Sequence, residues 1–299
     1  MAVDPITRTF GSVLVAMVTP FTDRGELDLQ AAGQVASHLV AGGCDGLVVS
    51  GTTGESPTTS DAEKEALLRA VLEAVGDRAM VVAGVGTNDT AHTLELATQA
   101  AKAGAHGLLA VTPYYNKPPQ AGLIAHFTAL ADATELPVML YDIPGRSGVP
   151  IRTETLVRLA EHPRIVAVKD AKSDLYEGAW VLARTDLEIY SGTDELNLAW
   201  LAQGASGVVS VVGHVAAGRY RELVTAVDAG DLPTARRIHT ELLPAVRAIM
   251  TRTQGAIMAK AALQLQGVLS GRQLRLPLIA ATDEEVAALR ADLEEAKLL

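Results

Sequence analysis

The chain has 299 residues, and 25 Lys+Arg against 35 Asp+Glu give a formal net charge of −10. With 48% hydrophobic and 20% charged residues it reads as an ordinary globular protein, not a disordered or fibrous one. The acidic balance and the lack of a basic stripe argue against a nucleic-acid partner.

A single cysteine, Cys44, permits no intrachain disulfide and fits a reducing cytoplasm. The opening stretch MAVDPITRTF carries neither the charged nor the apolar part of a secretory leader, and no apolar run is long enough to cross a bilayer. A soluble cytoplasmic protein is expected.

Apolar runs rich in β-forming residues recur at 13–18, 46–49, 80–85, 107–111, 137–141, 165–168, 187–190 and 207–212. Helical stretches lie between them: 61–75, where Leu67, Leu68, Val71, Leu72 and Val75 share a face, then 90–103, 120–133 and 154–160. Ser60-Asp61 ahead of Glu63-Lys64-Glu65 reads as a helix start. Ala41-Gly42-Gly43 and Ala103-Gly104-Ala105 read as left-handed glycine stops. The strands are continuously apolar, as parallel strands covered on both faces are.

Eight strand–helix units predict an α/β fold, a closed (β/α)8 TIM barrel over residues 1–230. On pattern alone an open doubly wound sheet of eight strands is the alternative. From residue 231 onward only helices are read, at 232–252, 255–265 and 284–296, with Pro277 in the last loop. Residues 231–299 are expected to form a helical appendix packed on the barrel, a common place for barrels to associate.

Barrel chemistry sits at the C-terminal strand ends. Lys169 follows the run Ile165-Val166-Ala167-Val168, where a partly desolvated amine can attack a carbonyl; the plainer alternative is a lysine reaching water. Lys172, in the loop beyond, competes for that role. Tyr141, one βα unit earlier, is a phenol suited to proton shuttling or else a packed barrel tyrosine. Arg146 can clamp a carboxylate with its fork or lie on the surface. Gly51-Thr52-Thr53-Gly54 offers hydroxyls and N–H groups to a carboxylate. As a glycine-rich turn it is a weak signal, lacking P-loop or dinucleotide spacing, and Gly84-Val85-Gly86 completes no fingerprint either. The seven histidines have no metal-binding spacing, so no metal and no cofactor is expected. Cys44 reads as a small buried residue, not a nucleophile.

Residues 46–63, with their Gly-Thr-Thr-Gly-Glu core, resemble the first signature of the dihydrodipicolinate synthase and N-acetylneuraminate lyase family. Tyr141-Asp142-Ile143-Pro144 through Val168-Lys169-Asp170-Ala171 resembles the second, and the similarity covers essentially the whole chain. The resemblance implies a metal-free class I aldolase reaction, with Lys169 forming a Schiff base with pyruvate. Arg146 implies the branch that condenses pyruvate with aspartate 4-semialdehyde, toward lysine and diaminopimelate. The alternative is a lyase acting on a sugar-derived 2-keto acid, of the N-acetylneuraminate or 2-keto-3-deoxygluconate type.

Position by position, the resemblance makes Tyr141 the proton donor and acceptor, linked to Thr52 and to Tyr115 from a neighbouring subunit. Thr52 and Thr53 would hold the pyruvate carboxylate, Val209 would add a backbone group near it, and Gly192 would lie close to the ketoacid. A homotetramer of two tight dimers is implied. Asp142 and Thr193 depart from the Asn and Asp often found there. At the lysine-binding place of some members Asn88 and Tyr114 are kept, but His92 replaces an acid and Asp61 and Lys64 stand where histidines can occur. Weak or absent inhibition by lysine is therefore expected.

Overall fold

The computed structural model describes residues 6–299; residues 1–5 of the opening stretch lie outside the described residues. The chain first alternates β1 (Val13–Ala16), α1 (Leu29–Ala41), β2 (Gly46–Val49), α2 (Asp61–Val75), β3 (Met80–Gly84) and α3 (Thr90–Ala103). It continues through β4 (Gly107–Val111), α4 (Gln120–Asp132), β5 (Val138–Asp142), α5 (Pro144–Ser147), α6 (Thr153–Leu159) and β6 (Ile165–Asp170). Then come α7 (Leu175–Arg184), β7 (Glu188–Ser191), α8 (Asn197–Ala202), β8 (Gly207–Ser210) and α9 (Gly213–Asp228). Three helices end the chain: α10 (Leu232–Val246), α11 (Gly255–Leu265) and α12 (Asp283–Glu295).

All eight strands pair in parallel and in sequence order, and β1 closes on β8 with Leu14 opposite Val209. That closure makes the sheet a TIM barrel and removes the open-sheet alternative. Side chains alternate along each strand. Leu14, Val48, Val82, Leu109, Met139 and Ala167 fill the interior, while Val13, Val15, Leu47 and Val81 pack outward on the helices. With both faces covered, the strands need no polar alternation.

The N-terminal end of the barrel is shut. Phe10, fully buried, packs edge-on to Tyr190 at 6.2 Å, and the Tyr190 hydroxyl donates to Glu188 at 2.9 Å. Glu188 also accepts the Thr9 backbone N–H at 2.8 Å. Solvent therefore reaches the interior from the opposite end, where β5 and β6 deliver their last residues.

Helix ends follow the local chemistry. Ser60 and Glu63 form a reciprocal capping box on α2. Gly104 ends α3 with φ of 94°. At α1 the left-handed residue is Gly43, φ 107°, since Gly42 still has helical angles. The predicted helix 232–252 stays α-helical only to Val246 and widens into a π turn at Arg247–Thr251. Pro244, without an N–H, breaks the regular hydrogen-bond ladder just upstream.

Helices α10 to α12 share one continuous apolar cluster with the barrel helices, through Ala235, Ile238, Leu242, Leu263, Leu289 and Leu293. Among the described residues no helix is long and apolar enough to cross a membrane.

Candidate active site

Strand β6 runs through Asp170, so Lys169 lies inside the strand, one residue further in than the apolar run indicates. Its Cα is registered with Tyr141 on β5 and with Tyr190 on β7. Lys169 and Tyr141 are each 5% exposed, and the Lys169 Nζ sits 4.3 Å from the centre of the Tyr141 ring. A cation at that distance is attracted by the ring face, which holds the lysine head against the phenol. Gly192 leaves the space for this stem: a Cβ there would lie 3.0 Å from both Cγ and Cε of Lys169.

Tyr141 forms part of the wall of a cleft of about 360 Å³ at the open end of the barrel. Thr52, Tyr115 and Arg146 line the same cleft. Thr52 is half-buried in the turn after β2, and Arg146 is exposed on α5. Tyr115 is 88% exposed and has φ of 72°, a backbone angle uncommon for a tyrosine. Four expected contributors sit off the wall: Lys169 lies beside the Tyr141 ring with Gly192 against its stem, Thr53 is buried in the turn, and Val209 belongs to the barrel interior opposite Leu14. Tyr114, Ile143 and Ser147 add to the lining, and so does Ser50, which the loop reading passed over.

The turn carrying Thr52 is held from a distance. Glu55, with φ of 54°, is buried and takes the Lys260 ammonium at 2.5 Å and the Arg275 backbone N–H at 3.0 Å. The Arg275 side chain reaches the Thr58 carbonyl at 2.8 Å and Glu63 at 2.5 Å, and its proximity holds the Glu63 carboxyl down at about 2. Burial pulls the Lys260 ammonium below the usual lysine range. On the far side, buried Asp194 gathers the Val211 and Val212 N–H groups at 2.9 and 3.0 Å and the Ser210 hydroxyl at 2.5 Å, fixing the loop after β8.

Neither link shows in sequence, because each joins segments that are distant along the chain or that lack a spacing rule. His92, where the resemblance expects an acid, lies with its Nε2 2.9 Å from Asp61 Oδ2. An acid is thus present beside His92 after all, supplied by α2. Among the described residues no three His, Cys, Asp or Glu side chains gather as metal ligands would.

The arrangement suits carbonyl chemistry. A buried primary amine stands against a phenol, and that phenol forms part of the wall of a cleft lined also by hydroxyls and a guanidinium. Comparison with known proteins agrees with this. The model of the dihydrodipicolinate synthetase family matches residues 9–296. A 4-hydroxy-tetrahydrodipicolinate synthase of Kineococcus radiotolerans is 72% identical over 97% of this chain and 94% of its own length. A second, from Streptomyces coelicolor, is 64% identical over 95% of this chain and 94% of its own. A solved structure of the enzyme from Cyanidioschyzon merolae, with lysine bound, superposes with a TM-score of 0.95. It is 42% identical and covers 98% of this chain and 100% of that one.

Proposed function

This chain belongs to the dihydrodipicolinate synthetase family, and from that premise we propose that it condenses pyruvate with aspartate 4-semialdehyde through an imine at Lys169. The observation that carries the reading is the buried Lys169 amine resting on the Tyr141 ring at 4.3 Å, where the barrel opens.

The steps balance with the two substrates alone. The neutral Lys169 amine attacks C2 of pyruvate and water leaves, giving a protonated imine. Loss of a methyl proton converts this to an enamine, whose carbon attacks the aldehyde of the semialdehyde; the alkoxide formed takes a proton. The semialdehyde's own amino group then adds to C2 and displaces Lys169, closing the ring and restoring the enzyme. Tyr141, beside the amine, donates and accepts protons in these steps.

Thr52 offers its hydroxyl to the pyruvate carboxylate, with Thr53 behind it shaping the turn, and Val209 and Gly192 bound the space next to Lys169. Arg146 receives the carboxylate of the semialdehyde by paired, charge-assisted hydrogen bonds. Assembly as a homotetramer in the cytoplasm belongs to the same proposal. The exposed Tyr115, projecting at the mouth of the cleft, supports it, since a neighbouring subunit would cover that ring.

Side-by-side assays test the substrate. With pyruvate present, aspartate 4-semialdehyde should be consumed, while N-acetylneuraminate and 2-keto-3-deoxygluconate should not be cleaved. Arg146→Ala should raise KM for the semialdehyde at least about tenfold and leave the pyruvate adduct within about twofold. Equal loss of both would give Arg146 a structural role only.

A further inference from the structure

Behind the Lys169–Tyr141 pair lies a second pair of side chains that the reaction steps leave unused. Tyr141 and Lys169 are cross-strand partners, and so are the residues that follow them, Asp142 and Asp170. Alternation along a strand sends Asp142 and Asp170 to the outer face, toward the helices, while Tyr141 faces the interior. Both carboxyls are shut away from water, Asp142 at 0% and Asp170 at 3% exposure.

Their surroundings differ. Asp170 Oδ1 accepts two backbone N–H groups, from Lys172 and Ser173, each at 3.0 Å. Asp142 Oδ1 accepts one, from Ile151 at 3.1 Å, and its Oδ2 has no hydrogen-bond partner. Among the described residues one cation approaches, the Lys172 ammonium, 4.0 Å from Asp142 Oδ2. Two buried carboxylates sharing one distant ammonium cannot both ionise at low cost. The one with fewer donors, Asp142, is the one more readily protonated.

We infer that Asp142 is a positioning residue for the reaction: its carboxyl changes charge on the outer face of the strand ends that carry Tyr141 and Lys169 and so governs how readily that pair gives up protons. Burial, with Asp170 adding to it, lifts the Asp142 carboxyl to about 7, against the pull of the Ile151 N–H and Lys172. The other groups facing the cluster do not supply a competing cation. Asp174, ahead of α7, adds negative field at Asp170, Arg152 beside Ile151 is exposed, and just past β4 stands the uncharged Thr112 hydroxyl, bonded to the Tyr141 carbonyl at 3.0 Å. When Asp142 ionises, its negative charge favours ammonium over amine at Lys169 and phenol over phenolate at Tyr141. Nucleophilic attack is then held back above neutrality.

The inference rests on the imine at Lys169, and one experiment separates the two. The rate of borohydride-trapped adduct formation with pyruvate is measured from about pH 5 to about pH 9 for the parent chain and Asp142→Asn. The amide mimics the protonated acid, so the rates should agree below about pH 6. Above about pH 8 Asp142→Asn should run about three- to tenfold faster. A ratio that is constant with pH overturns the inference, whereas no adduct on the parent chain overturns the imine itself.

Thermal melting gives a second readout. An acid raised in the folded state contributes stability that is fully present below its ordinary value and is lost as pH rises from there through its folded value. Asp142→Asn should therefore gain on the parent by a larger margin near pH 8 than near pH 5; the same offset at both overturns the inference. Should Asp142→Asn not fold, Lys172→Met decides. Without the ammonium, the parent's break in rate near pH 7 should move upward, and an unmoved break overturns the inference.

Discussion

Lys169→Ala is expected to lower the condensation rate at least about 10³-fold, with the protein still folded. The size follows from the loss of the covalent route itself and not of one contact. An imine splits a difficult carbon–carbon bond formation into easier steps, and Lys169 is the amine held against Tyr141. Lys172 cannot replace it, because its ammonium lies by Asp142, on the outer face of the strand ends. Lys172→Met is accordingly expected to keep the pyruvate adduct. Initial rates with both substrates measure the effect, with circular dichroism confirming the fold. More than about one-tenth of the parent rate in Lys169→Ala would remove the amine from the chemistry.

Lys260→Met is expected to destabilise the fold by about 3–5 kcal/mol, read from the shift of a denaturant midpoint. Glu55 and Lys260 are each about 1% exposed, so removing the ammonium strands a carboxylate in the interior. The Phe21 ring would lose one of its two cations, Lys260 at 4.3 Å, keeping Arg275 at 4.4 Å. Adding Glu55→Gln to Lys260→Met should recover a large part of the loss, because a neutral pair has no stranded charge. A single-variant loss below about 1 kcal/mol would show that water reaches Glu55. The pair also explains why the C-terminal helices matter to the site: they reach across 205 residues of chain to hold the turn carrying Thr52.

The barrel was legible because its strands are uninterrupted apolar runs and its helices carry explicit starts and stops, such as Ser60 with Glu63 on α2. Strand ends were legible for the same reason, and the rule that chemistry sits there brought Lys169, Tyr141, Thr52 and Arg146 into view. Closure was read from the count of eight units, whereas the register that makes it, Leu14 opposite Val209, joins opposite ends of the repeat and leaves no local trace. The apolar run ended at Val168 with Lys169 read as the last residue of the strand, yet Asp170 too is paired to β5. Thr53 and Val209 illustrate a further limit: sequence can say that a residue adjoins the site, but not whether its side chain meets the cleft or the core. Burial of polar groups was the least visible feature. Asp142, Asp194 and Glu55 look like loop acids in the sequence and are hydrogen-bonded interior residues in the fold.

One measurement goes straight to the imine. The parent protein is incubated with pyruvate, reduced with borohydride, digested and mapped by mass spectrometry. A single modification is expected, one reduced pyruvyl group attached at Lys169, absent without pyruvate and absent from Lys169→Ala. A modification at Lys172 or another lysine, or full turnover with no trapped adduct at all, would contradict it.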